Sequence, residues 1–556
     1  MRNSATKLCY NWGLMKRSFI AIALVLAAIG AVAGGLFGTL QNSASAGTEL
    51  TAERIVTDYH EALDVVADNY GGKADRENIS DSSIQGMLWS LDPHSSFFTR
   101  QEFERLSQEQ ASQFYGIGVS ILQHRDGVYV QSIVPGTPAE AAGLRYGDRI
   151  VEVDGKDATE WSSGEVSKNV RGQRGTTVKV KVERATANAP MVFDIVRGGV
   201  PLPSIRNYFM LPDNVGYIGL TGGFQETTGE ELNEALKDLD RQGMKSVILD
   251  LRNNPGGILE QAVNVVSRFV PSDQLVVSVK GRVNNSVSRE LKSSGKDIEK
   301  LPLVVLMNGG SASASEIVAG AIQDYGRGVV VGTDSFGKGL VQRVFRLPYG
   351  TGLTLTTARY YTPFGRSLQR DYSNGSIYEY YTNHDQDADA LFGPKPAGVP
   401  VTLPDGRTLY GGRGIEPDIK AKAQEFGIQR GRINDAAFFF VRQLVAGKIT
   451  GFEAYKVEKQ NQLRSVQKES FPVTDRLFEA FRQNAISNKA NGLTAENIAA
   501  DVEYSKTRLR QELATANYSN EAGVQVLLET DPQIIKATES MALARNLVEK
   551  NLAMRR

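Results

Sequence analysis

Hydrophobic periodicity changes several times along the chain, and each change marks a region. An uncharged apolar run, Phe19 to Leu40, follows Lys16 and Arg17. From residue 48 to 110, Ile55, Tyr59, Leu63 and Val66 recur on one stripe at helical spacing, which predicts a helical region. From about Ser112 to Gly198 the pattern shortens into β runs separated by Gly and Pro turns. Beyond Pro201, strands and helices alternate: strands at Tyr217 to Leu220, Val247 to Leu251, Leu303 to Met307 and Val329 to Val331, with helices at Glu230 to Arg241, Ile258 to Phe269 and about Ala314 to Tyr325. That alternation indicates an α/β layered domain. Two further β runs, Val341 to Leu347 and Leu353 to Tyr361, follow it, and residues 371 to 400 form a polar insertion. The last part is rich in Gln, Glu, Lys and Arg, with helices expected at Ala436 to Leu444 and Ser540 to Leu552. The fold class is therefore multidomain α/β, divided as 1–47, 48–110, 111–199, 200–424 and 425–556.

Composition narrows the chemistry. A chain of 556 residues with 41% hydrophobic positions and zero formal net charge has no basic field pointing to nucleic acid. One cysteine, Cys9, excludes a disulfide scaffold. The four histidines, His60, His94, His124 and His384, are scattered and form no HExxH pair, so no metal or organic cofactor is implied. Basic residues ahead of the run Phe19 to Leu40 mark a membrane-targeting segment, long enough to span as an anchor, although Ala44-Ser-Ala46 offers a cleavage site. The charge asymmetry places the bulk of the chain outside the cytoplasm, in the periplasm or cell exterior.

The richest stretch is Leu303 to Gln342. An apolar strand breaks at Asn308-Gly-Gly310, and a helix begins among Ser311, Ser313 and Ser315. Ser313 with Glu316 makes a capping box, which by itself needs no further role. Lys338 stands between Gly337 and Gly339, where the backbone can approach a neighbouring element closely and carry the ammonium inward.

The motifs Asn308-Gly-Gly-Ser-Ala-Ser-Ala-Ser-Glu316 and Phe336-Gly-Lys-Gly-Leu-Val-Gln342 resemble the active site of the C-terminal processing, or tail-specific, serine peptidases. The resemblance covers roughly residues 50 to 425. It implies that Ser313 is the nucleophile, Lys338 its general base and Gln342 an assistant. A lysine that accepts a proton at neutral pH must be shifted from about 10.4 to roughly 7 to 8, on the order of 4 kcal/mol against the ammonium. That requires an apolar setting, for which Phe336, Leu340 and Val341 are candidates. Lys338 and Gln342 are neighbours if they share a helical turn, whereas in a strand they share a face roughly 13 Å apart. Asp324 is expected to be structural, tying the helix end to Arg327.

Acyl transfer also needs donors for an oxyanion. The Ala314 N–H, beside the nucleophile, is one candidate. The other is expected from Ser246-Val-Ile-Leu-Asp-Leu-Arg-Asn-Asn-Pro-Gly-Gly257, which resembles the family's LDLRxNPGG element; this implies Gly257, with Gly256 close behind.

Tyr115-Gly-Ile-Gly118 and Ser132-Ile-Val-Pro-Gly-Thr-Pro-Ala-Glu-Ala-Ala-Gly-Leu144 resemble a PDZ domain. Tyr115, Gly116, Ile117 and Gly118 would form a carboxylate-binding loop, with Val119 opening the strand that accepts a peptide. Arg171 or Arg174 would link peptide docking to the Gln342 region. His94, in a Leu-Asp-Pro-His-Ser element, is expected to be structural, and Gly412 to Ile419 to close the core. The tail carries no assigned chemistry, and a homodimer is possible. The sequence thus describes a serine endopeptidase that acts on proteins or peptides with accessible C-termini. The alternative is a catalytically silent PDZ scaffold at the membrane, against which Ser313, Lys338 and Gln342 all argue.

Overall fold

The computed structural model describes residues 51–282, 288–373, 380–381, 398–458, 460–461, 466 and 471–554. The apolar run Phe19 to Leu40, Cys9, His384 and most of the 371–400 insertion lie outside these residues. Among the described residues, no helix is long and apolar enough to cross a membrane. The chain divides into two compact units at Ser83 and Ile84.

In the first unit, helix Ala52–Asn69 starts at Thr51, whose side chain accepts the Arg54 N–H at 3.3 Å. Of its apolar stripe, Ile55, Tyr59 and Val66 are exposed and Leu63 is half-buried. Helix Arg76–Trp89 runs across the division.

The second unit holds three layers of organisation. Five antiparallel strands stand in the order Val119–His124, Gly127–Ile133, Arg149–Val153, Thr177–Glu183 and Met191–Val196. Alternating valines point inward from them; Val128, Val130, Val178, Val180 and Val182 are fully buried in one apolar cluster. An antiparallel ribbon, Gln113–Gly116 with Gly198–Pro201, joins this module to the core.

The core sheet runs in the order Ile205–Leu211, Val215–Leu220, Ser246–Asp250, Leu303–Met307, Val329–Gly332 and Ile419–Lys420. Its first pair is antiparallel and the remainder parallel, so the central strands are buried on both faces and read as unbroken apolar runs. Helices Thr228–Arg241, Leu259–Ser267 and Ala314–Asp324 pack one face through Leu232, Leu236, Val265, Ile317 and Val318. A second, antiparallel sheet brings Leu340–Arg346 and Gly352–Tyr361 beside that layer.

The tail is structural to this core. Leu528, Ile534, Ala537, Met541 and Ala544, from helices Asn520–Leu528, Pro532–Glu539 and Met541–Met554, cover the other sheet face against Phe209, Ile248, Leu306 and Val331. Helices Ile428–Val445, Asp475–Ser487 and Val502–Asn517 form a cluster of their own, which grips the β module where Tyr146 donates to Glu512 at 2.7 Å and His124 meets Asp435 at 2.9 Å.

Candidate active site

The turn after strand Leu303–Met307 decides between the three serines. Ser311 Oγ donates to the Leu251 carbonyl at 2.8 Å and Ser315 Oγ to the Asn254 carbonyl at 2.9 Å, and both residues are fully buried. Their hydroxyls serve to pin the turn to the neighbouring strand exit. Ser313 is the one turned into a groove of about 860 Å³, which Gly256, Gly257, Ala314, Lys338, Gln342 and Tyr360 also line. It has φ 57° and ψ −115°, a left-handed conformation that a non-glycine residue holds at a cost of about 1–3 kcal/mol and that is concentrated at functional sites.

Glu316 does more than cap. Its carboxylate is fully buried and accepts the N–H of Ser313 at 2.9 Å, of Lys338 at 2.8 Å and of Gly337 at 2.7 Å, together with the Ser335 hydroxyl. One side chain thereby fixes the backbone of both proposed reactive residues. Burial pushes its pKa up to about 7, against the hydrogen bonds from Ser335, Lys338, Ser313 and Gly337.

The Gly337-Lys-Gly339 loop behaves as its glycines demand. Gly337 has φ 87°, and a Cβ on Gly339 would stand 2.5 Å from the Gln369 nitrogen. The Lys338 amine is held below its ordinary pKa by burial, which outweighs the attraction of Glu316 and Asp92. Among the described residues no carboxylate comes within 4.0 Å of it. Phe336, His94 and Tyr380 form an aromatic cluster next to this loop, with His94 6.2 Å from Phe336 and 5.3 Å from Tyr380 between ring centroids. His94 Nε2 lies 2.8 Å from the Tyr380 hydroxyl, and its pKa is lowered to about 3 by burial and by Lys338. It is neutral at working pH, so it adds no positive charge to Lys338's surroundings.

Gln342 sits in strand Leu340–Arg346, just past a register irregularity between Val341 and Gln342, so the helical-turn alternative does not apply. Its amide donates to Thr356 Oγ1 at 3.2 Å. Asp324 is structural, but its partner is Arg366, at 3.0 Å through Nε, and not Arg327. Arg327 instead bonds the carbonyls of Phe269 and Leu301, both at 3.0 Å.

The glycine loop abuts Ser313. A Cβ on Gly256 would lie 2.7 Å from Ser313 Cβ and 2.9 Å from the Ala314 nitrogen. The Gly256 N–H is taken by Asn254 Oδ1 at 2.9 Å, which favours Gly257 over Gly256 as a donor. Gly257 has φ 147° and stands against Phe224, with a Cβ position only 2.2 Å from the Phe224 oxygen.

In the β module, Ile117 is buried and Gly118 has φ 88°, its Cβ position 2.2 Å from Thr137 Oγ1. Tyr115 and Gly116 end the ribbon strand. Val119 opens an edge strand whose only strand partner among the described residues is Gly127–Ile133. Arg171 lies over the Phe114 ring at 4.2 Å, beside this loop.

Tyr360 was not singled out by the sequence. It is almost wholly buried, its hydroxyl donates to the Lys338 carbonyl, and it lines the same groove as Ser313. In an alternating run of Thr, Leu and Tyr nothing distinguishes the tyrosine that lines the groove beside Ser313.

The family model described as peptidase family S41 matches residues 214–375, and that of the PDZ domain residues 116–190. The chain is similar to the carboxy-terminal-processing protease of Bartonella bacilliformis, 38% identical over 299 residues, covering 53% of this chain and 68% of that protein. It is also 31% identical over 312 residues to the carboxy-terminal processing protease CtpA of Bacillus subtilis, covering 56% and 66%. Among solved structures, the photosystem II D1 C-terminal processing protease is 26% identical, with 67% of this chain and 94% of that one covered and a TM-score of 0.34.

Proposed function

The chain belongs to the carboxy-terminal processing proteases of peptidase family S41, serine peptidases with a PDZ domain, and from that premise we propose that it cleaves proteins near captured C-termini by a Ser-Lys acyl-enzyme route. The observation that carries this reading is that the strained Ser313 and the half-buried Lys338 line one groove and hang from one carboxylate, Glu316.

In the proposed reaction the neutral Lys338 amine takes the Ser313 proton as Oγ attacks the scissile carbonyl carbon. The carbonyl oxygen gathers negative charge and receives the N–H groups of Gly257 and Ala314. Collapse of the tetrahedral intermediate breaks the C–N bond, and the Lys338 ammonium returns its proton to the leaving amine. Water then attacks the ester by the same proton route in reverse. Gln342, turning its amide from Thr356, assists Lys338 without adding a charge.

Substrate selection is assigned to the β module. The loop Tyr115 to Gly118 receives the terminal carboxylate, and the free edge beginning at Val119 takes the tail as an added strand. The sequence run Phe19 to Leu40 supports an extracytoplasmic location for this work.

The deciding experiment incubates wild type, Ser313→Ala and Lys338→Ala with one peptide ending in a free apolar carboxylate and with its C-terminal amide. Wild type should cut the free acid faster than the amide, and both variants should cut neither. A scaffold would leave every peptide whole, and cleavage by Lys338→Ala at the wild-type rate would remove the mechanism.

A further inference from the structure

The glycine loop is reached from strand Ser246–Asp250 through Leu251, Arg252 and Asn253. Arg252 is anchored at both ends of its guanidinium. Nε and Nη2 bond Asp250 at 3.0 and 2.7 Å, while Nη1 bonds Asp531 Oδ2 at 2.7 Å and Gln533 Oε1 at 2.8 Å. Asp250 also accepts the Tyr217 hydroxyl at 2.9 Å.

Asp531 and Gln533 belong to the tail, outside the residues that either family model matches. Asp531 caps helix Pro532–Glu539, its Oδ1 accepting the Gln533 N–H at 2.8 Å. Gln533 donates in turn to the Ala421 carbonyl at 2.8 Å, beside the last core strand. Asp250 and Gln533 are 2% and 1% exposed, while the Arg252 and Asp531 side chains are 13% and 20% exposed, so the network runs from the interior to a partly buried ion pair.

Four residues, Asn253 to Gly256, separate Arg252 from Gly257, and Asn253 has φ 57°. The loop is clasped on its far side by Asn254, which bonds the Leu220 carbonyl and the Ala312 N–H. On its near side the clasp is Arg252.

We propose that Asp531 and Gln533 are positioning residues of the active site: by holding Arg252 they set the path of the loop that presents the Gly257 N–H beside Ser313. This rests on the reading of Gly257 and Ala314 as the oxyanion donors. Without the Asp531 carboxylate the guanidinium keeps Asp250 on Nε and Nη2 but loses the charged partner of Nη1. The Arg252 side chain then shifts, and the loop with it. A donor displaced by about 1 Å loses much of its worth in the transition state while ground-state binding is spared.

The test uses the full chain with Asp531→Asn, which keeps a capping oxygen for the helix but loses the ion pair, and with Gln533→Leu, which leaves the cap untouched. Three quantities are measured on folded protein: kcat and KM for a peptide, the affinity of a peptide boronic acid that forms a tetrahedral adduct on Ser313, and the affinity of the matching unreactive peptide amide. Asp531→Asn should lower kcat and weaken the boronate by about tenfold each, with KM and the amide within about twofold. Gln533→Leu should move the same two quantities in the same direction. Wild-type kcat and boronate affinity in folded Asp531→Asn, or equal weakening of boronate and amide, overturns the proposal. If Asp531→Asn does not fold, Gln533→Leu decides on the same criteria. Ser313→Ala run alongside separates the two levels. A cleaving Ser313→Ala strikes the reading of the site, whereas an inert Ser313→Ala with unaffected tail variants strikes only the positioning role.

Discussion

The Glu316 carboxylate accepts the Lys338 N–H at 2.8 Å across 22 residues of chain, with the same oxygen that receives the Ser313 N–H at 2.9 Å. Its other oxygen serves Gly337 and Ser335. Glu316→Gln keeps the volume but turns one acceptor into a donor, so either Ser313 and Lys338 or Ser335 and Gly337 face an N–H. Catalysis should fall by about tenfold or more, because the reactive pair loses its shared reference point. Stability should respond oppositely with pH. A carboxyl raised to about 7 costs the fold on the order of 3 kcal/mol once ionised, a cost that grows as pH rises from about 4.5 to about 7. The glutamine variant should lose that slope. Peptidase assays beside melting curves at several pH values test both halves; unchanged kcat would remove Glu316 from the positioning machinery.

Lys338 supplies a pH prediction of defined sign. Burial lowers its pKa, while Glu316 and Asp92 pull it back up. Below that pKa the amine is charged and cannot accept the Ser313 proton, so kcat/KM should fall on the acid side. Asp92→Asn removes one raising charge and keeps an oxygen for the N–H groups of His94 and Ser95, each now 2.8 Å from Oδ1. Its acid limb should therefore move to lower pH. Lys338→Arg, which cannot deprotonate in a protein, should be inactive at every pH. A limb that moves upward in Asp92→Asn contradicts this assignment.

Local pattern and long-range partnership divide what the sequence reveals. The strand, turn and helix around Ser313 were legible because an apolar run, two glycines and a capping pair act within a dozen residues. Spacing alone does not choose among Ser311, Ser313 and Ser315, and the family resemblance names Ser313; the structure adds that the other two hydroxyls are taken by the Leu251 and Asn254 carbonyls. Spacing suggested Arg327 for Asp324, but Arg366, from the turn that follows strand Gly352–Tyr361, takes that place with a fully buried guanidinium. The tail read as packing helices, which it provides. Its bond to Arg252 joins residues 279 apart and leaves no local trace.

Gly256 tests the contact between loop and nucleophile. Its φ of 97° disfavours any side chain, and an added methyl would stand 2.7 Å from both the Ala312 oxygen and Ser313 Cβ. The backbone atoms cannot yield cheaply, so the loop itself must retreat. Gly256→Ala should lower kcat about a hundredfold, as loss of an oxyanion donor does. The protein should still bind a C-terminal peptide through its PDZ module. Stopped-assay kinetics and peptide binding by fluorescence anisotropy measure the two; a fully active Gly256→Ala would mean that the loop does not present the oxyanion donor.

Docking can be separated from chemistry at Gly118. It has φ 88°, its carbonyl accepts the Val134 N–H at 3.0 Å, and a methyl there would overlap Thr137 at 2.2 Å from Oγ1. Thr137 is itself fixed by its bond to the Val134 carbonyl. Gly118→Ala must therefore reshape the loop proposed to hold the substrate carboxylate, more than 100 residues in sequence from Ser313. Affinity for a free-acid peptide should drop by about tenfold or more, since a misaligned nest of N–H groups loses its charge-assisted bonds. Cleavage of a short amide-capped peptide, which bypasses docking, should continue near the wild-type rate. Equal loss on both substrates would show instead that the module is needed to hold the catalytic core in its working arrangement, and retained discrimination between acid and amide would take the carboxylate away from this loop.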